Sequence, residues 1–173
     1  MMLEQVVYGL QYMHSRLVVH KDLKLPNLLV FEDGSVKISS SFSYHLYFSL
    51  SDSFCLAADF GFSRKIQHLN QISYSRNGTE EVWSPQKKQR KPYNSGLNDT
   101  WEFGQLAYFA AYCRLPNPVT LPQQLQQLAS SPHDIERAFG EMLGACLQTV
   151  ETKRPTLNQL RSVCLLLRDH DAS

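Results

Sequence analysis

The sequence predicts a mainly α domain that carries one small β-hairpin. Three observations lead to that prediction. Apolar residues recur at helical spacing over 2–14, 99–112, 123–129, 134–148 and 156–168. Two short apolar runs, Leu28-Leu29-Val30-Phe31 and Ser35-Val36-Lys37-Ile38, flank the turn residues Glu32-Asp33-Gly34. Strand and helix patterns do not alternate along the chain, which disfavours a doubly wound parallel sheet. With 173 residues, 43% of them hydrophobic and 19% charged, the chain is long and apolar enough for one globular domain with a core.

Taken in order, residues 2–14 place Leu3, Val6, Val7, Leu10 and Met13 on one face of a helix. Leu17-Val18-Val19 is a short strand-like run leading into the polar stretch His20–Asn27. The hairpin follows, with Gly34 suited to a positive φ. Residues 39–57 are compositionally odd: seven of these 19 are serine, and most of the others are Phe, Tyr, Leu, Cys or His. Residues 60–98 are polar and read mostly as loop. The helix over 99–112 is strongly apolar, with Asp99 as its expected N-cap. Its aromatic residues Trp101, Phe103, Tyr108, Phe109 and Tyr112 are expected in the core. Pro116, Pro118 and Pro122 break the chain before the last three helices.

The residues that carry chemistry are grouped. His20-Lys21-Asp22-Leu23-Lys24-Leu25-Pro26-Asn27 is followed by Asp59-Phe60-Gly61, Gly78-Thr79, Ser84-Pro85-Gln86, Asp99-Thr100-Trp101-Glu102-Phe103-Gly104 and Lys153-Arg154-Pro155-Thr156. In this order the six motifs resemble the C-terminal lobe of a eukaryotic protein kinase, and the resemblance covers nearly the whole chain. Each motif alone is weak; taken singly, Asp22, Lys24 and Asn27 are ordinary surface polar residues.

The resemblance implies phosphoryl transfer from ATP with Mg²⁺ to a protein hydroxyl. Asp22 is then the catalytic base and Lys24 the cation facing the γ-phosphate. Asn27 and Asp59 are the magnesium ligands, hard oxygen donors of the kind this ion takes. Leu29 lies under the adenine. His20 and Phe60 stack in the hydrophobic interior, anchored by Asp99. Lys24 within His-x-Asp-Leu-Lys, and Gly78-Thr79 ahead of Ser84-Pro85, look more like serine/threonine than tyrosine kinases.

Departures from the family shape further expectations. A Gly-rich loop, a strand lysine and its glutamate partner do not precede residue 1. The sequence as it stands therefore reads as 1–173 of the C-terminal lobe with the N-terminal lobe absent, and inactive as written. The alternative is a pseudokinase or truncated scaffold that works by binding. Residues 39–57 separate Ile38 from Asp59 where the family has a single residue. Their composition is what pyrimidine-rich codons encode, so a retained intron is expected, with a surface insertion as the alternative. Lys21 stands where arginine is usual and cannot make a bidentate contact. Gln86 stands where the family has a glutamate facing Arg154, which is expected to leave Arg154 partly uncompensated.

Charge and cysteines limit the partners. A net charge of +1 argues for no particular nucleic-acid or membrane partner; protein substrates and regulatory proteins are the partners the resemblance implies. Four dispersed cysteines suit a reducing compartment, the cytoplasm. The run Lys87-Lys88-Gln89-Arg90-Lys91 reads as a solvated basic loop, or else as a nuclear-localisation patch. Residues 133–136 read as a helix start rather than a metal site.

Overall fold

A computed structural model of the chain describes residues 2–39 and 62–171. Asp59, Phe60 and Gly61, with nearly all of the serine-rich stretch, lie outside the described residues.

Helix α1 spans Met2–Ser15 and buries Leu3, Val6, Val7, Leu10 and Met13, the face its periodicity predicts. Strand β1 (Val18–Val19) follows. β2 (Leu28–Val30) and β3 (Val36–Ile38) form the expected antiparallel hairpin, with Leu28 opposite Ile38 and Val30 opposite Val36. Gly34 takes φ 77°, the left-handed conformation a glycine tolerates without strain. Gln5 ties the hairpin to α1 by donating to the Gly34 carbonyl and accepting from the Val36 amide.

The segment read as loop contains more structure than its polarity suggests. β4 (Arg64–Lys65) pairs with β1, and β5 (Ile72–Ser73) pairs with β6 (Tyr93–Asn94). The short helix α2 (Pro85–Lys88) lies between them. These two-residue strands are specified by long-range pairing and carry no periodicity of their own.

Helix α3 runs over Ser95–Tyr112 and starts four residues before the expected point. Asn94 is its N-cap: the side-chain oxygen accepts from the Leu97 amide at 3.0 Å. Asp99 therefore sits inside the helix, fully buried, and its carboxylate serves another element. Trp101, Phe103 and Tyr108 are buried as expected, but Tyr112 at the last turn is exposed.

Helices α4 (Leu121–Ala129), α5 (Asp134–Cys146) and α6 (Leu157–Asp171) complete the fold. One core joins α1, the hairpin, α3, α5 and α6, built from residues such as Leu10, Ile38, Phe103, Met142 and Leu160. α4 covers α5 through the half-buried Leu121, Leu125 and Leu128. Residues 133–136 are the start of α5, as expected. No helix among the described residues is long and apolar enough to cross a membrane.

Candidate active site

The His20–Asn27 loop leaves β1 and packs on α3, and its backbone is held by carboxylates of that helix. Asp99 accepts the amides of His20 at 2.8 Å and Lys21 at 2.9 Å. His14 of α1 donates from Nε2 to the same carboxylate at 2.9 Å. Burial would raise the Asp99 carboxyl, but the His14 hydrogen bond and the neighbouring donors outweigh it and hold it below the usual range. Three donors thus compensate one buried charge, as burial of a carboxylate requires.

Lys21 takes φ 68°, a left-handed conformation rare for a residue with a side chain. This turn brings Asp22 to the centre of a group of donors. Thr79 donates its amide to Asp22 Oδ1 at 2.7 Å. Lys24 Nζ lies 3.0 Å from Oδ2, and Asn27 Nδ2 donates to it at 3.3 Å. Lys24 also donates to the Thr79 hydroxyl. Burial alone would raise the Asp22 carboxyl; the Thr79 hydrogen bonds and the Lys24 charge overcome it and keep the group ionised.

Asn27 is fully buried and donates from Nδ2 to the Asp22 carbonyl at 2.7 Å, which closes the loop on itself. Its backbone carbonyl accepts the Ser39 amide at 2.6 Å. His20 is buried; its Nδ1 faces the Asp22 amide at 3.3 Å and Nε2 the Ser39 carbonyl at 3.1 Å. Burial lowers its pKa, so the ring is neutral and packed, the structural role expected of it. Of the residues expected at the site, Asp22, Lys24 and Asn27 converge. Leu29 lies on β2 opposite Lys37, with 39% of its surface exposed. Asp59 lies outside the described residues.

Gly78-Thr79 closes over the loop. Gly78 runs at φ 94°, and a Cβ there would lie 2.6 Å from the Lys21 carbonyl oxygen and 3.2 Å from Asp22 Oδ1. Only glycine allows this approach. Lys21 Nζ donates to the Ser73 hydroxyl at 3.1 Å, one point contact with the 62–79 segment.

Two expectations are revised. Arg154 is well partnered despite Gln86: it donates to Gln86 Oε1 at 2.8 Å and to the carbonyls of Gln148 and Leu97, and lies over the Trp101 ring. Burial lowers it to about 10, still far above neutrality. Lys87 does not belong to a solvated basic loop. It is fully buried, with its Nζ 3.6 Å from Glu102 Oε1.

Glu102, part of the Asp99–Gly104 motif, has no role of its own in the sequence reading. It accepts the Leu23 amide at 2.9 Å and Asn98 Nδ2 at 2.8 Å. Burial pushes its carboxyl up to about 7, against the pull of Lys87. The signal available in the sequence was a glutamate between Trp101 and Phe103 on a buried helix face, where a charge requires a partner.

Comparison with known proteins gives the family. The protein kinase domain family matches residues 1–163, and the chain belongs to that family. It is 33% identical over 137 residues to the serine/threonine-protein kinase PRR1 of Saccharomyces cerevisiae, covering 77% of this chain and 25% of that protein. It is 27% identical over 168 residues to the tyrosine-protein kinase receptor torso of Drosophila melanogaster, covering 91% of this chain and 16% of that one. The serine/threonine-protein kinase pakG of Dictyostelium discoideum is 27% identical over 167 residues, 91% of this chain and 12% of its own length. The chain spans a quarter or less of the length of these relatives.

Proposed function

We propose that residues 1–173 are the C-terminal lobe of a serine/threonine protein kinase domain, whose phosphoryl transfer is carried by Asp22, Lys24, Asn27 and Asp59. The observation that supports this best is the convergence of Asp22, Lys24 and Thr79. An ionised carboxylate and a half-buried ammonium of one loop are bonded to each other and to Thr79, which a distant segment brings in. Asp22 accepts the hydrogen bond of a substrate hydroxyl and takes its proton. Lys24 places a positive charge beside the transferred phosphoryl group, where charge stabilisation dominates catalysis.

The residues present suit a magnesium–nucleotide. Asn27 is a buried amide turned with its nitrogen to the Asp22 carbonyl, and its oxygen is the atom with magnesium chemistry. Asp59 would be the second ligand. When bound, Mg²⁺ supplies neutralisation of the phosphate charge. The exposed apolar side chain of Leu29 is a surface that adenine would cover. The other half of the nucleotide clamp would come from an N-terminal lobe.

Lys24 bonded to Thr79 supports serine/threonine specificity, as do the names of two of the three relatives. Ser39 and Ser63 both contact His20, at 3.1 and 3.2 Å, on either side of the undescribed stretch. That supports reading 39–57 as an insertion between neighbouring points of the fold. Protein substrates and regulatory proteins in the cytoplasm complete the proposal.

The test is made on the protein translated from its full transcript. Mg-ATP is expected to raise its melting temperature, and Asp59→Asn to abolish the shift. Asp22→Asn should keep the shift and lower phosphate transfer to a serine peptide about 10²–10⁴-fold. A folded protein that shows neither shift nor transfer would instead be a binding module of the pseudokinase type.

A further inference from the structure

The buried pair Lys87–Glu102 has no part in the chemistry assigned above. Both side chains are inaccessible to solvent, and their charged atoms are 3.6 Å apart. Desolvation of two charges exceeds what one ion pair at that separation returns, so the pair contributes little to stability by itself. Its remaining contacts converge on the backbone around Asp22.

Two peptide planes flank the Asp22 Cα. In the first, the Lys21 carbonyl accepts from Lys87 Nζ at 3.3 Å, and the Asp22 amide faces His20 Nδ1 at 3.3 Å. In the second, the Asp22 carbonyl accepts from Asn27 at 2.7 Å, and the Leu23 amide donates to Glu102 Oε2 at 2.9 Å. Each plane is held at both ends, and one end of each is held by a member of the pair. Lys87 is fixed in turn between the rings of Trp83 and Tyr93. Glu102 is fixed by Asn98, which accepts from the buried Ser84 hydroxyl at 2.9 Å. The plane before Asp22 follows a left-handed residue, Lys21, a conformation that persists only where its surroundings enforce it.

We infer that Lys87 and Glu102 are positioning residues, which fix the peptide planes on both sides of Asp22 and so set the direction of its carboxylate. The inference rests on the reading of Asp22 as the catalytic base. It assigns α2 and α3 a joint role: the pair bridges the segment after Gly78-Thr79 to the loop that holds Asp22.

The test separates positioning from stability. In the double variant Lys87→Met/Glu102→Leu both buried charges disappear together, which commonly leaves a fold as stable or more so. The melting temperature is expected to fall by no more than the loss of the bonds to the Leu23 amide, Asn98 and the Lys21 carbonyl accounts for, with the fold retained. Amide exchange at Leu23 and Thr79, followed by NMR, is expected to accelerate about tenfold or more, with Leu106, in the helix α3 that carries Glu102, unchanged. The Thr79 amide proton, which reports the bond to Asp22 Oδ1, is expected to move upfield. In the phosphotransfer assay kcat falls and KM for ATP stays. A folded double variant with parental exchange at Leu23 and Thr79 overturns the inference.

Lys87→Met alone covers the case in which the double variant does not fold. Glu102 can then take up a proton and keep Leu23, while the Lys21 carbonyl loses its donor. A moved Thr79 amide resonance is expected, and an unmoved one overturns the inference. A parent protein without phosphotransfer refutes the catalytic reading of Asp22, and the exchange data still decide whether the pair positions it.

Discussion

At Gly78 the identity of a single residue decides whether two loops can meet. The backbone passes at φ 94° with the Lys21 carbonyl oxygen 2.6 Å from where a Cβ would be. Gly78→Ala adds both a strained φ and a clash with backbone that cannot swing away. It is expected to destabilise the fold by ~1–3 kcal/mol and to weaken the Thr79–Asp22 bond next to it. A melting curve with Thr79 amide exchange checks this; an unchanged midpoint would show that the segment relaxes freely. Arg154 shows the opposite behaviour. Its expected glutamate partner is replaced by Gln86, yet two carbonyls and an aromatic face compensate the guanidinium, so the change of partner is tolerated.

Among the elements, α3 organises the site. Asn94 caps its start, and its second turn supplies the buried Asp99 and Glu102. One rigid helix therefore sets the backbone of residues 20–23 at three amides. Asn94→Ala removes the acceptor for Leu97 and should cost about 1 kcal/mol. The loss is expected to appear as a lower melting temperature with unchanged exchange at Leu106, since fraying is confined to the first turn. Equal acceleration along the whole helix would contradict this. The β5–β6 pair connects the same helix start to Ser73, the residue that Lys21 reaches.

Across the whole molecule the buried carboxylates act on stability in opposite directions. Asp22 and Asp99 are held below the usual range, so their contribution is present above it and is lost as pH falls through their folded values. Glu102 is pushed from an ordinary 4.5 up to about 7. Between those values the folded state holds a proton that the unfolded state releases. The Glu102 contribution therefore favours folding below 4.5 and is lost as pH rises through about 7. Urea unfolding at several pH values between 5 and 8 should show this loss in the parent and not in Glu102→Gln. Parallel curves for the two proteins would refute it.

The helices and the hairpin were legible because α1, α5 and α6 and the strands β2 and β3 carry their own periodicity and turn residues. Asp22, Lys24 and Asn27 were legible as a group because they lie within six residues of one loop, and the structure brings them together there. The start of α3 was misplaced because Asp99 has the chemistry of a cap. Only the fold shows that Asn94 fills that role, while Asp99 is turned inward to hold the His20 and Lys21 amides. The strands β4, β5 and β6 were invisible because two residues paired across a distance leave no local pattern. Lys87 was misread for the same reason, since neighbours in sequence made it look like one of a basic run. What the sequence by itself determined is which local elements form and which family the chain resembles, because both depend on side chains near one another along the chain. The tertiary structure alone decided which charges are buried and whom they serve, because burial and pairing depend on distant segments brought together by folding.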